Sequence, residues 1–340
     1  MMSGMMAQAT RPARRVLHVC YCCADVEEPV AFFEQGFALR ETMRTTGEPT
    51  SGAVLGMDYD VQGVAAFMYD ARGPRTSPAI EVQSWISPVL EGEPFDQPNH
   101  AGVQALGFSV HELGPTMAKL KTLGAKVLAT GHSTTFDAHC ATLVDPRGMT
   151  IDVVERAEVP VGESRMHHLR ITCSDLTRSI EWYEGLGFER VGPLVDLTDD
   201  DPTANPAFGQ PGTAAVSACR LRLPDDPMEI VLVEWHDPPV VGRHYDRPNH
   251  AGWYRLALGV DDVRAACTAM SESGWVFDRA PMLVALDGTP VPDMWITFTT
   301  DPDGVPFELV QRPRSAFIDP PTITDPPTIT DAPTFTDPPT

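Results

Sequence analysis

The sequence predicts an α+β protein built from four βαβββ units, two in each of two tandem halves. Three observations predict it: a long internal duplication, a strand followed by a capped amphipathic helix twice in each half, and a DP-x-G turn before the last strand of each half.

The duplication comes first because it sets the frame for every local reading. RVLHVCYCCADVEEPVAFFEQ-GF from Arg15 aligns with RMHHLRITCSDLTRSIEWYEGLGF from Arg165, placing His18 on His168, Cys23 on Cys173 and Asp25 on Asp175. Trp85 then falls on Trp235, and FDQPNHAG at Phe95 falls on YDRPNHAG at Tyr245. Later, LVDPRGMTIDVVER aligns with TTDPDGVPFELVQR, so Asp145 meets Asp301 and Asp152 meets Glu308. The halves are residues 15–157 and 164–313.

Each half divides into two similar units. In the third unit HHLRITCSDL alternates as a half-buried strand, and Ser174 or Asp175 caps the helix that follows. Ile180 and Tyr183 face the core, while Gly185 and Gly187 end that helix. In the fourth unit Leu256, Leu258 and Val260 share a strand face, and Val263, Cys267 and Met270 form a helical stripe. The second unit, VQALGFSVHELGPTMAKLKTLGA, follows the same pattern.

Residues 1–14 are expected to be loose, and 314–340 to form a tail. DPPTITDPPTITDAPTFTDPPT is a proline-rich repeat with no face to bury. The formal net charge of −22 excludes attraction to a nucleic-acid backbone or an anionic membrane surface. No apolar run reaches spanning length and the N-terminus lacks a secretory apolar stretch, so a cytoplasmic location is expected. The seven cysteines are an odd number, and Cys20, Cys22 and Cys23 crowd one strand, which points to reduced thiols.

The most specific pieces, HxxxxxSDLxxSxxWYxxLGF and DPDGVPFELV, resemble the vicinal oxygen chelate superfamily, the glyoxalase, bleomycin-resistance and extradiol-dioxygenase group. The resemblance spans residues 15–313. It implies two tandem domains with open half-barrel sheets, each half closing its own pocket, with metal ligands projecting from four strand positions. Carried over, these are His18, Glu81, Ala105 and Asp152 in the first half, and His168, Val231, Arg255 and Glu308 in the second.

In the first half one imidazole and two carboxylates, His18, Glu81 and Asp152, suit a divalent ion, because two carboxylates cancel its charge. Iron, manganese, nickel and zinc are the candidates. The set is oxygen-rich and points to Lewis-acid work on a small oxygenated metabolite, as in an isomerase or lyase. A metal-free polar pocket is the alternative. Cys20 and Cys22 share the face of His18 and are expected to line the substrate pocket.

In the second half Arg255 stands where a histidine ligand is implied, and a guanidinium cannot coordinate a cation. His168, Glu308 and Arg255 form a candidate acid–base set, with Arg170, Thr172 and Arg255 as substrate contacts. A satisfied polar network is the competing reading. Glu229, with a register slip, would complete a set with His168 and Glu308. His100 and His250 in the PNHAG repeats read as loop residues, and His139 as a core or rim residue or an extra ligand. The functional readings are therefore a metal-dependent enzyme, a small-molecule binding protein of the antibiotic-resistance kind, a metal-free cyclase or isomerase, and a ring-cleaving dioxygenase. A monomer or a homodimer is compatible with each.

Overall fold

The computed structural model describes residues 11–197, 214–284 and 294–312; the repeat tail from 314 onward lies outside the described residues. The first strand starts at Ala13, two residues before the expected boundary.

The first module comprises β1 (Ala13–Cys23), α1 (Glu27–Phe37), β2 (Arg40–Arg44), the short β3 (Thr50–Ser51) and β4 (Asp60–Val61), β5 (Ala65–Tyr69) and β6 (Ala79–Ser84). The second contains β7 (Gly102–Val110), α2 (Leu113–Thr122), β8 (Lys126–Ser133), β9 (Ala138–Val144) and β10 (Thr150–Glu155). The third contains β11 (Ser164–Thr172), α3 (Leu176–Leu186), β12 (Glu189–Arg190), β13 (Val195–Leu197), β14 (Ala215–Arg222) and β15 (Glu229–Asp237). The fourth runs through β16 (Gly252–Val260), α4 (Val263–Glu272), β17 (Met282–Val284), β18 (Met294–Thr300) and β19 (Pro306–Gln311).

Local chemistry sets the helix ends. The Asp175 carboxylate caps α3 by accepting from Arg178 N, and Asp262 caps α4 by accepting from Arg264 N and Ala265 N. Gly187, at φ 106°, terminates α3 in the left-handed region. Gly185 does not end the helix; it lies inside α3, where an added Cβ would come 2.9 Å from the Trp275 ring. Ile180 and Tyr183 are buried, as their spacing predicts.

Strand pairing departs from the expectation that each half closes its own barrel. One sheet runs β17-β18-β19-β16-β1-β6-β5-β2, joining the fourth module to the first. The other runs β12-β14-β15-β11-β7-β10-β9-β8, joining the third to the second. Each sheet is closed at its centre by an antiparallel pair from opposite halves, β1 with β16 and β7 with β11.

The PNHAG repeats hold this exchange in place. Asn99 Nδ2 donates to Pro239 O and Asn249 Nδ2 to Val89 O, both at 2.7 Å, so each linker grips the other. The His100 ring stacks on Phe95 and the His250 ring on Tyr245. Gly242 and Gly92, both at φ 67°, lie under these imidazoles, where a Cβ would come within 2.1 and 2.0 Å of a ring nitrogen.

The modules of one half meet instead through their helical sides. Phe37 of α1 stacks on Phe108 of β7 at 4.1 Å, and Tyr21 donates to the Asp145 carboxylate at 2.7 Å. Tyr183 and Asp301 repeat that bond in the second half at 3.2 Å. One apolar core thus draws on all four modules, and each fully buried aromatic or aliphatic side chain contributes about 1.5–3 kcal/mol. Among the described residues no helix is long and apolar enough to cross a membrane.

Candidate functional site

The exchanged pairing redistributes the candidate residues. His18 on β1, Glu81 on β6, Arg255 on β16 and Glu308 on β19 converge on the concave face of the first sheet. They sit at the base of a cavity of about 430 Å³, walled in part by Phe67, Trp85 and Phe298 and by the segment from Thr45 to Gly63. A larger cleft of about 660 Å³ lies at the start of β1 among Arg14, Arg15, Arg75 and Arg312. The acid–base cluster opens into the smaller cavity, which is therefore the better candidate for chemistry.

Arg255 organises the cluster. Its Nη2 donates to both Glu81 oxygens at 3.0 and 2.8 Å, and its Nε donates to Glu308 Oε2 at 2.9 Å. A weaker contact runs from Nη1 to Cys20 Sγ at 3.5 Å. Burial by itself would raise the Glu308 carboxyl, but the Arg255 guanidinium, assisted by His18, outweighs it and draws the pKa down to about 2. Burial disfavours the charged form of Arg255 too, yet the Glu81 and Glu308 charges push its pKa well above the ordinary value.

His18 Nε2 lies 3.4 Å from Glu81 Oε2 and 3.4 Å from Glu308 Oε2. It is a buried nitrogen that makes no well-formed hydrogen bond, although it stands within ion-pair distance of both carboxylates. The Phe67 ring meets the imidazole edge-on at 5.7 Å and fixes its plane.

These positions correct two expected sets. The metal set His18, Glu81 and Asp152 does not converge, because Asp152 is on β10 of the second sheet. The acid–base set His168, Glu308 and Arg255 does not converge either, because His168 is on β11 of the second sheet. The physical reason is the same in both: equivalent positions of one half face the opposite half. Cys20 and Cys22 are buried among Val61, Trp85, Tyr245 and Tyr254, beneath the cavity wall rather than on it.

In the second sheet Asp152 is fully engaged. Arg170 Nε donates to Oδ2 at 2.7 Å and Nη2 to Oδ1 at 3.2 Å, Thr142 donates to Oδ1 at 2.7 Å, and His168 Nε2 lies 3.2 Å from Oδ2. Burial would raise its carboxyl, but Arg170 and then His168 bring the pKa down to about 2. Phe136 packs over His168 at 4.5 Å, and the concave face is filled by Val154, Val216, Val231, Val233 and Trp235. Thr172 donates to Pro98 O at 2.8 Å. Arg170, Thr172 and His168 are thus buried and engaged with neighbouring groups among the described residues. Glu229 is held by Arg220 at 2.7 Å, and His139 is an exposed rim residue beside His132.

A divalent ion does not fit the first-sheet cluster. An ion held by His18, Glu81 and Glu308 would share both carboxylates with a permanently charged guanidinium already bonded to them. Among the described residues no group of three or more His, Cys, Asp or Glu is arranged to hold one.

The sequence named all four converging residues but divided them between two sets. The signal that would have joined them is complementarity. Glu81 has no cation at the matching strand position of its own half, where Ala105 stands in place of an arginine. Val231 leaves Arg255 one carboxylate short in the other half. The wall residues Thr45, Ser51, Gln62 and Phe67 carry no such signal and were missed.

A sequence profile of the Glyoxalase/Bleomycin resistance protein/Dioxygenase superfamily matches residues 15–153 and 165–309. A 2-epi-5-epi-valiolone epimerase from Actinomyces sp. is 28% identical over 157 residues, covering 46% of this chain and 83% of that protein. Glyoxalase I from Zea mays superposes with a TM-score of 0.64 at 18% identity, over 90% of this chain and 94% of that one. A putative dioxygenase from Bacillus subtilis gives a TM-score of 0.61 at 12% identity, over 89% and 87%. At these identities the two structures establish the shared fold alone.

Proposed function

The chain belongs to the Glyoxalase/Bleomycin resistance protein/Dioxygenase superfamily, and on that premise we propose that its first sheet carries a proton-transfer enzyme of the isomerase or epimerase type in which Arg255 supplies the positive charge. The observation that carries this reading is the unpartnered His18 Nε2 between two carboxylates bridged by Arg255, at the base of an open cavity. The epimerase relative supports the same reaction class.

His18 takes a proton from the carbon beside a substrate carbonyl, and the electron pair of that C–H bond moves into an enolate. Glu81 and Glu308 stabilise the imidazolium so formed. A guanidinium has five N–H donors, and the one Nη1 hydrogen of Arg255 engaged with neither the glutamates nor Cys20 stabilises the enolate oxygen. The imidazolium then returns its proton to the carbon skeleton, giving an isomer with atoms and charge unchanged.

The test is exchange of the α-proton of ketones and hydroxyketones in deuterium oxide, followed by NMR. Exchange by the intact protein should survive chelator treatment and fall by about 10²–10⁴-fold in His18→Ala. Exchange that disappears with chelator, or that persists undiminished in His18→Ala, would overturn the proposal.

A further inference from the structure

The cavity above the cluster carries information about what it holds. Its charged side chains among the described residues are Glu48, Glu81 and Glu308 against Arg255, so three carboxylates and one guanidinium leave two formal negative charges with His18 neutral. The guanidinium is already bonded to two of those carboxylates. An anionic group entering here meets this excess of like charge, and the one guanidinium, which can still donate a hydrogen bond, is already outweighed by the carboxylates paired with it.

The polar wall is neutral and of two kinds. The Thr45 hydroxyl accepts from Ala65 N at 2.9 Å and the Ser51 hydroxyl accepts from Ala53 N at 3.3 Å, which leaves each hydroxyl proton to donate. Gln62 Nε2 donates to Gly47 O at 3.1 Å and Gln83 Nε2 donates to Ser84 O at 2.6 Å, which leaves each side-chain carbonyl to accept. All four line the cavity with His18. A wall that offers fixed donors and fixed acceptors side by side matches groups that are both at once, namely hydroxyls. Phe67, Trp85 and Phe298 supply apolar surface for the C–H faces of a carbon skeleton.

Resting on the proton-transfer reading of this same site, we infer that the substrate is a neutral polyhydroxylated carbonyl compound, and that phosphorylated or carboxylated carbonyl compounds are excluded by the charge of the cavity. Glu48, exposed at the mouth, acts as a specificity-determining residue by adding negative charge where a ligand enters.

Calorimetric titration of the full chain with dihydroxyacetone and scyllo-inosose, against dihydroxyacetone phosphate and pyruvate, tests the inference. The neutral compounds should bind at least about tenfold more tightly than the anionic ones. Glu48→Gln should narrow that ratio, and added salt should narrow it further. Equal or tighter binding of the anions, or no binding of either neutral compound, overturns the inference. α-Proton exchange on the same compounds separates the two claims. Neutral compounds that bind without exchange sink the proton-transfer reading and leave the substrate class standing. Exchange confined to the phosphate or the carboxylate does the reverse.

Discussion

The two sheets start from equivalent strand positions and arrive at opposite outcomes. In the first, the arginine is Arg255 on β16 and its neighbour across the central pair is Cys20. In the second, the position equivalent to Arg255 is Ala105, and the arginine is Arg170, its direct cross-strand partner. Glu81 and Glu308 give the first sheet two long carboxylates around one guanidinium, leaving a histidine nitrogen without a bond. Val231 and Asp152 give the second a single short one, which Arg170, His168 and Thr142 satisfy fully. The difference teaches that one guanidinium facing two carboxylates accompanies an open cavity, whereas among the described residues one facing a single carboxylate lies buried beside an apolar cluster. Polar residues inside a barrel are therefore no sign of chemistry unless some capacity is left over.

The sharpest way to break this comparison is to remove one partner of the closed network. Arg170→Ala leaves Asp152 buried without its guanidinium and should cost about 3–5 kcal/mol in urea unfolding, whereas a replacement of both residues by apolar ones of similar volume should cost far less. A loss under about 1 kcal/mol for Arg170→Ala would mean that the second sheet is more open than its burial indicates.

A second substitution asks whether the arginine of the first sheet stands in for an ion. Arg255→His removes the fixed charge and adds a neutral ligand beside His18, Glu81 and Glu308. The variant should acquire stabilisation by nickel or zinc, about 2.7 kcal/mol when free metal is a hundred times the dissociation constant, that the parent chain lacks. Equal stabilisation of both proteins would show that the guanidinium does not exclude the metal.

The smallest expected effect is on acid stability, and there the sheets should behave alike. The Glu308 pKa lies below its ordinary 4.5 and that of Asp152 below its ordinary 3.8, both at about 2. A carboxylate with a depressed folded-state pKa contributes stability above its ordinary value and loses it as pH falls toward the folded one. Unfolding free energy should therefore decline as pH is lowered from about 4.5 toward 2, and Asp152→Asn should flatten part of that slope. An unchanged slope in Asp152→Asn would place the acid-sensitive groups elsewhere.

Much of this protein is written locally. The alternation of HHLRITC sets which side chains of β11 face inward, and Asp175 and Gly187 bound α3, because each depends on neighbours a few residues apart, while the duplication, read by matching distant segments, fixes the number of modules. The chemistry of each candidate was legible as well: Arg255 cannot ligate a metal wherever it is placed. The partnership of His18 with Glu308 rather than with Asp152 was not legible. The central strands β1, β7, β11 and β16 all present the same backbone donors and acceptors, and a hydrogen-bonded ladder carries no label for the module it joins. That choice fell to contacts distant in sequence: Asn99 on Pro239 O, Asn249 on Val89 O, and Tyr21 packed against Trp253. Short-range patterning determined the parts and their inward faces. Only the tertiary structure decided which faces share a cavity, because that depends on the summed packing of surfaces no sequence window contains.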